Sequence, residues 1–192
     1  LGINNIATLS NGKNFSGSKV QSVREKNFRL RKSLQSKGTR SAKRHLKRAS
    51  GREKRFQKDI NHQISKQIVK LAKETQSAIA LEDLKNIRKT IKYRKKQRRK
   101  FHSWAFYQLE QFINYKAQRE GIPVVIVEPA YTSQLCSICG SVGTRNGQDF
   151  HCSSCGFRAN ADYNASCNIA LRAAFNQPIV ASVEAKGSSK NN

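Results

Sequence analysis

The sequence predicts a mixed α/β domain carrying a small cysteine-rich insertion before its last helix. Three observations lead there. Short apolar runs alternate with longer stretches of helical period, turn residues bound each run, and two Cys-x-x-Cys pairs stand close together near the C-terminal end. At 192 residues the chain is long enough for one core plus a small module.

Residues 5–10, Asn-Ile-Ala-Thr-Leu-Ser, alternate and run into Asn11-Gly12, a two-residue hairpin signal, so two short antiparallel strands are expected first. From 22 to about 75 the pattern is helical and heavily charged. Gly38-Thr39 divides this stretch into two helices, with Gly51 a weaker interruption. The second helix places Phe56, Ile60, Ile64, Ile68 and Leu71 on one stripe opposite a basic face. Residues 78–81, Ala-Ile-Ala-Leu, form a buried strand followed at once by Glu82-Asp83. Residues 88–100, RKTIKYRKKQRRK, are a loop or a solvated helix. Phe101, Trp104, Ala105, Leu109, Phe112 and Ile113 recur at helical spacing, and Gly121 closes that helix. IPVVIVEP holds a second buried strand. After the cysteines a helix spans about 161–175, and the polar tail is expected to be disordered. The expected boundaries are 1–133 for the core, with a basic helical hairpin at about 22–75; 134–158 for the insertion; 159–175 for the last helix; and 176–192 for the tail.

Charge narrows the class of partner. The chain has 37 Lys and Arg against 12 Asp and Glu, a net charge of +25. That excess calls for a polyanion, and nucleic acid comes first because each phosphate contact releases condensed counterions. A membrane is a poorer fit, since the longest purely apolar run, 124–127, is far too short to span a bilayer. The N-terminus has no secretory pattern. Five cysteines in a reduced, cytoplasmic setting point to metal rather than disulfides. Because the chain starts at Leu1 and holds no methionine, it reads as a piece of a longer protein.

Cys136-x-x-Cys139 and Cys152-x-x-Cys155 are two knuckles twelve residues apart. Close pairs across a short hairpin are what a tetrahedral zinc ion needs, and four thiolates leave no open position, so this zinc is structural. Gly140 and Gly156 follow the second cysteine of each pair, and Asn146-Gly147 offers the hairpin turn. His151 is surplus to the ligand set. Cys167 shares a helix stripe with Tyr163, Ala170 and Ala174 and reads as a small core hydrophobe.

Two acids stand where a cleft would be. Glu82 ends an apolar strand on the face of Ala78 and Ala80, where small neighbours leave room. Asp162 lies in the first turn of the last helix. Taken singly, a cap or solvated side chain explains the first and the helix dipole explains the second. Together, on a strongly basic chain, they match a magnesium-dependent phosphodiester site, in which a few carboxylates hold hard cations about 4 Å apart. Glu128 is a weaker third candidate, and Asp83 and Asp149 are weaker still. Arg94, Lys95, Lys96, Arg98, Arg99 and Lys100 are the candidate contacts to a nucleic-acid backbone.

Several stretches resemble the C-terminal half of the TnpB/OrfB transposon-associated proteins, relatives of the type V CRISPR effector nucleases. They are LGINNIATLSNGK at Leu1, IALEDLKNIR at Ile79, SWAFYQLEQFINYKAQREGIPVVIVEPAYTSQLCSICG at Ser103 and CSSCGFRANADYNASCNIA at Cys152. The resemblance implies an RNase H-like (RuvC) core interrupted by a zinc ribbon. For the intact family it implies RNA-guided DNA cleavage linked to transposition, with catalytic magnesium, DNA and a guide RNA. The family's second and third acidic motifs fall on Glu82 and Asp162. Its first is an aspartate immediately before a Leu-Gly-Ile-like segment, so a chain beginning at Leu1 lacks that aspartate and the first strand. With two of three carboxylates the chain alone is expected not to cleave DNA. A nuclease-dead relative that only binds nucleic acid is the alternative, prompted by Ser166-Cys167 where Ala-Arg is usual. A zinc-ribbon RNA-binding protein of ribosomal type fits the charge but not the acid at Glu82 or the long Trp104 helix.

Overall fold

The computed structural model describes residues 2, 4–84 and 106–175. The basic run at 88–100, Phe101, Trp104, Ala105 and the tail at 176–192 lie outside the described residues. β1 (Asn5–Thr8) and β2 (Asn14–Ser16) pair antiparallel, with a bulge between Asn5 and Ala7. The turn is longer than the two-residue form expected from Asn11-Gly12. Leu9 N–H donates to Lys13 O at 2.9 Å, which leaves Ser10, Asn11 and Gly12 as a three-residue loop. Gly12 takes φ +85°, the left-handed position such loops require.

α1 (Ser18–Lys37) ends at Gly38 with φ +65°, and α2 (Arg40–Glu74) starts at once, its first amides capped by Thr39 Oγ1 accepting from Ala42 N at 3.1 Å. Gly51 does not interrupt α2. The helix runs unbroken through it for 35 residues, about 52 Å of axis. Packing holds this stretch straight: α1 lies against α2, Ala49 is buried, and Glu53 pairs with Arg31 of α1. A neighbour that fixes the backbone outweighs the roughly 1 kcal/mol propensity cost of one glycine.

β3 (Ile79–Glu82) and β4 (Val124–Val127) pair parallel, from Ile79↔Val124 to Glu82↔Val127. Parallel neighbours need a long crossover, and α3 (Phe106–Arg119) lies in it. Ile79 and Leu81 point into the core while Ala80 and Glu82 face the other way, as a period of two demands. α3 and α2 pack together over Ile64, Ile68, Leu109, Ile113 and Ala117, which with Ile6, Ile79 and Leu81 belong to the main core. β5 (Thr144–Asn146), β6 (Asp149–His151) and β7 (Arg158–Asn160) make a separate antiparallel sheet around a small core of Cys136, Phe150, Cys152 and Ala161. The β5–β6 turn is Gly147-Gln148, one residue beyond the expected Asn146-Gly147. β7 runs directly into α4 (Ala161–Phe175), which packs on β1, β3, β4, β6 and β7. No described helix is long and apolar enough to cross a membrane.

Ile113, fully buried between α2 and α3, tests the main core. Ile113→Ala is expected to lower the unfolding free energy in a urea titration by about 2–5 kcal/mol. The exposed neighbour Gln111→Ala should stay within about 0.5 kcal/mol.

Candidate functional site

The two cysteine knuckles are built alike. In the first, Gly140 N–H donates to Cys136 O at 2.9 Å and Cys136 N–H to Ser141 O at 2.8 Å. In the second, Gly156 N–H donates to Cys152 O at 3.0 Å and Cys152 N–H to Phe157 O at 2.9 Å. Gly140 (φ +74°) and Gly156 (φ +75°) make the reversals. The hairpin then brings all four sulfurs within 4.8 Å of one another, with Sγ separations of 3.7 Å for Cys136–Cys155 and 3.5 Å for Cys139–Cys152. A tetrahedron of thiolates about 2.3 Å from a zinc ion has edges of about 3.8 Å. The donor set and its dimensions therefore fit zinc.

The clustered thiols perturb one another's acidity. Backbone and side-chain donation from Ser141 hold Cys139 down to about 6. The Phe157 amide pulls Cys155 down as well, but the neighbouring thiols, Cys139 foremost, outweigh it and push Cys155 up to about 12. Four thiolates this close need a cation. Gly143 is required for the same module, because a Cβ there would lie 2.4 Å from the Phe150 ring and 2.8 Å from His151 O.

Both candidate acids are held by designated partners. Glu82 Oε1 accepts the Thr132 hydroxyl at 3.0 Å, and Thr132 itself is buried. Asp162 uses both oxygens: Oδ2 accepts from Asn5 Nδ2 at 3.2 Å, and Oδ1 from Arg145 Nη2 at 3.2 Å. Asn5 comes from β1 and Arg145 from β5, so the sheet that carries the knuckles reaches across to this acid. Glu128 follows β4 and is exposed, with Arg172 Nη1 bound to its carbonyl at 2.9 Å. Asp83 extends the β3–β4 ladder through its N–H to Val127 O, while Asp149 is exposed on β6. Cys167 is half-buried, and His151 is exposed. The candidate contacts from Arg94 to Lys100 lie outside the described residues. Among the described residues, the four cysteines are the only cluster of three or more ligating side chains.

The sequence reading missed the residues that assemble the site. Asn164 is fully buried on α4; its Oδ1 accepts Ser137 N–H at 2.9 Å and its Nδ2 donates to Leu135 O at 2.7 Å. One turn on, Asn168 Nδ2 donates to Leu135 O at 2.7 Å and Thr132 O at 2.8 Å. These amides tie the first knuckle and the Thr132 loop to the helix that carries Asp162. In that loop Tyr131 takes φ +61°, a left-handed conformation that costs a non-glycine residue about 1–2 kcal/mol.

The described residues form two concavities. A cavity of about 440 Å³ is bordered by Ala7 and Thr8 of β1, Ile79 to Glu82 of β3, the last turns of α2, and Ser166 and Ala170 of α4. Glu82 thus shares a cavity with Ser166, which sits one turn beyond Asp162. The second is an open groove on the outer half of α2, where Arg44, Arg48, Arg52 and Arg55 surround Ser41 and Gly51. Between residues 18 and 55 the helical hairpin carries fifteen Lys and Arg against two acids, Glu25 and Glu53. A stripe of guanidiniums at steps of three and four residues lies on one helix face, suited to the backbone of a polyanion.

A family model described as the Cas12f1-like TNB domain matches residues 106–169. The CRISPR-associated endodeoxyribonuclease Cas12f1 of Sulfoacidibacillus thermotolerans is 46% identical over 120 residues, covering 60% of this chain and 27% of the relative. A TnpB-like protein of Methanocaldococcus jannaschii is 39% identical over 126 residues, covering 65% of this chain and 45% of the relative. The chain thus spans less than half the length of these curated relatives. The cryo-EM structure of a Cas12f1–sgRNA–target DNA complex superposes with a TM-score of 0.66 at 24% identity, covering 82% of this chain and 43% of that one, a likeness of fold.

Thiol titration of the purified chain should release one equivalent of zinc; Cys152→Ala should carry none, and Cys167→Ala the full equivalent. Asn164→Leu leaves the Ser137 N–H buried without a partner, and calorimetry should show a loss of about 1–3 kcal/mol.

Proposed function

We propose that this chain, which is similar to TnpB-like and Cas12f-like proteins, is the catalytic-core portion of an RNA-guided DNA endonuclease of that kind. In this reading the core is RNase H-like (RuvC), the cysteine module is a structural zinc ribbon, and Glu82 and Asp162 are catalytic carboxylates that take magnesium. The observation that carries it is that Glu82 lines the cavity between β1, β3 and α4, that Asp162 lies on α4 one turn before the cavity residue Ser166, and that each acid has a carboxylate oxygen fixed by a neutral donor, Thr132 for Glu82 and Asn5 for Asp162.

Magnesium, when bound, supplies Lewis-acid charge for hydrolysis of the phosphodiester, and carboxylate oxygens are the hard donors it prefers. Thr132 and Asn5 hold the acids in one orientation. Arg145 sits on the remaining oxygen of Asp162, so its guanidinium and a cation compete for the same atom. Two carboxylates leave the rest of an octahedral shell to water and phosphate oxygens, as is usual for magnesium, and the reading adds as a third ligand the aspartate of the first acidic motif that the resemblance implies.

The cavity supports that addition. Among the described residues β1 pairs only with β2 and β3 only with β4, and both border the cavity. Thr8 Oγ1 is buried there without a hydrogen-bond partner. One more strand laid between β1 and β3 would join the two sheets into one. DNA and guide RNA are the proposed partners, with the α2 groove and the 94–100 run following their phosphates. Linkage to transposition is part of the same proposal.

With magnesium and single-stranded DNA, the chain alone is expected to show no cleavage. Supplying an apolar strand that ends in aspartate, joined ahead of Leu1, should switch cleavage on. Glu82→Gln or Asp162→Asn should then abolish it, whereas Thr132→Val, which removes only a positioning donor, should cost roughly 10–100-fold. Cleavage by the unextended chain, or cleavage that survives both acid substitutions, would overturn the proposal. Filter binding across salt concentrations should show the slope of log K falling by about 0.7–0.9 for each of Arg44→Ala, Arg48→Ala and Arg52→Ala.

A further inference from the structure

Tyr131 is held in an unusual place. The residue is 65% exposed although its carbonyl is bound twice. The Tyr131 carbonyl accepts Gln134 N–H at 3.0 Å and Leu135 N–H at 3.1 Å. The next residue, Thr132, is buried, with its hydroxyl on Glu82 and its carbonyl on Asn168. The other non-glycine residue with positive φ among the described residues, Gln76, lies just past the end of α2, where the left-handed conformation is an ordinary way to stop a helix. Tyr131 ends no helix. Glycine would relieve the strain, yet the position carries a large aromatic ring.

A strained residue in a rigid loop beside a reactive group calls for a role that the side chain fills. Three chemistries meet at this loop: the aromatic face of Tyr131 within it, the guanidinium of Arg172 on α4 bound to Glu128 O just before it, and the carboxylate of Glu82 on β3 bound by Thr132. A flat ring, a cation and an adjacent acid site match the parts of one nucleotide: base, phosphate and scissile bond. Stacking on an aromatic ring needs an unpaired base, because the faces of paired bases are already stacked within the duplex.

We propose that Tyr131 is a stacking platform for one unpaired nucleobase of a single strand, fixing the register of the phosphodiester presented to Glu82 and Asp162. It is a positioning residue, and the inference rests on reading those two acids as the cleavage site. The strained φ serves this role by aiming the ring outward from a backbone that cannot swing.

The test uses the whole chain and single-stranded DNA oligonucleotides carrying 2-aminopurine at successive positions. One or two positions should lose fluorescence on saturation, the signature of stacking. Tyr131→Leu should abolish that quenching and weaken single-strand binding roughly 5- to 20-fold, with double-strand binding changed less than about 2-fold. Tyr131→Phe should keep both. Tyr131→Gly should lose the quenching while raising the melting temperature, which separates loss of the ring from loss of the fold. The proposal is overturned if the parent chain quenches at no position, if quenching persists in Tyr131→Leu, or if Tyr131→Phe behaves like Tyr131→Leu. Glu82 and Asp162 are tested separately, by cleavage alone. Should stacking hold while the strand-completed protein cleaves independently of those acids, the cleavage reading falls and the platform stands.

Discussion

A helix that buries asparagines where leucines are usual must find a partner for each amide group, and that requirement organises the end of the molecule that carries Glu82 and Asp162. α4 buries Asn164 and Asn168 one turn apart, and their amides satisfy backbone groups of the first knuckle and of the Thr132 loop. Any shift of the helix would strand several of these groups together, each at a cost comparable to a lost hydrogen bond. Asp162 is on the same helix, and Glu82 is held by the residue whose carbonyl Asn168 grips. The orientation of both acids thus follows from two amides that touch neither of them.

What the sequence made legible were features set by spacing. Period two gave β3 and the side of it on which Glu82 falls. Period 3.6 gave the stripe from Phe56 to Leu71. The Cys-x-x-Cys pairs with their trailing glycines specified a four-sulfur cluster. Partners chosen only in three dimensions stayed hidden: Asn5 with Asp162 is a contact across 157 residues, and Thr132 with Glu82 one across 50. Arg145 was one basic residue among 37, and nothing in its neighbourhood marked it as the one that would meet an acid. The loop after β1 came out one residue longer than Asn11-Gly12 implied because Leu9 and Lys13 still pair across it. Gly51 misled because propensity is a weak force beside the packing of α1 on α2.

The scarcity of acids gives the charge distribution its character. The pKa of Lys73 is raised by the hydrogen bond it donates to Glu120, whose own pKa Lys73 lowers in turn, but this pair is exposed and contributes little to stability. Most of the positive charge has no carboxylate to meet and repels itself, and that repulsion favours expansion of the chain. A bound polyanion removes the repulsion and stabilises the folded form by mass action, so the unliganded protein is the least stable version of itself.

The unbroken course of α2 joins two places that sequence alone would treat as unrelated. Its outer half displays the arginine groove, and its final turns, with Ile68, Leu71 and Ala72, form a wall of the cavity next to Glu82. From Arg48 to Leu71 is about 35 Å of continuous hydrogen-bonded rod. A rod without a hinge behaves as a lever: a load on its free end is felt at its fixed end as torque, with no relay of side chains in between. A load on the arginine face and the width of the cavity are therefore linked through the helix itself.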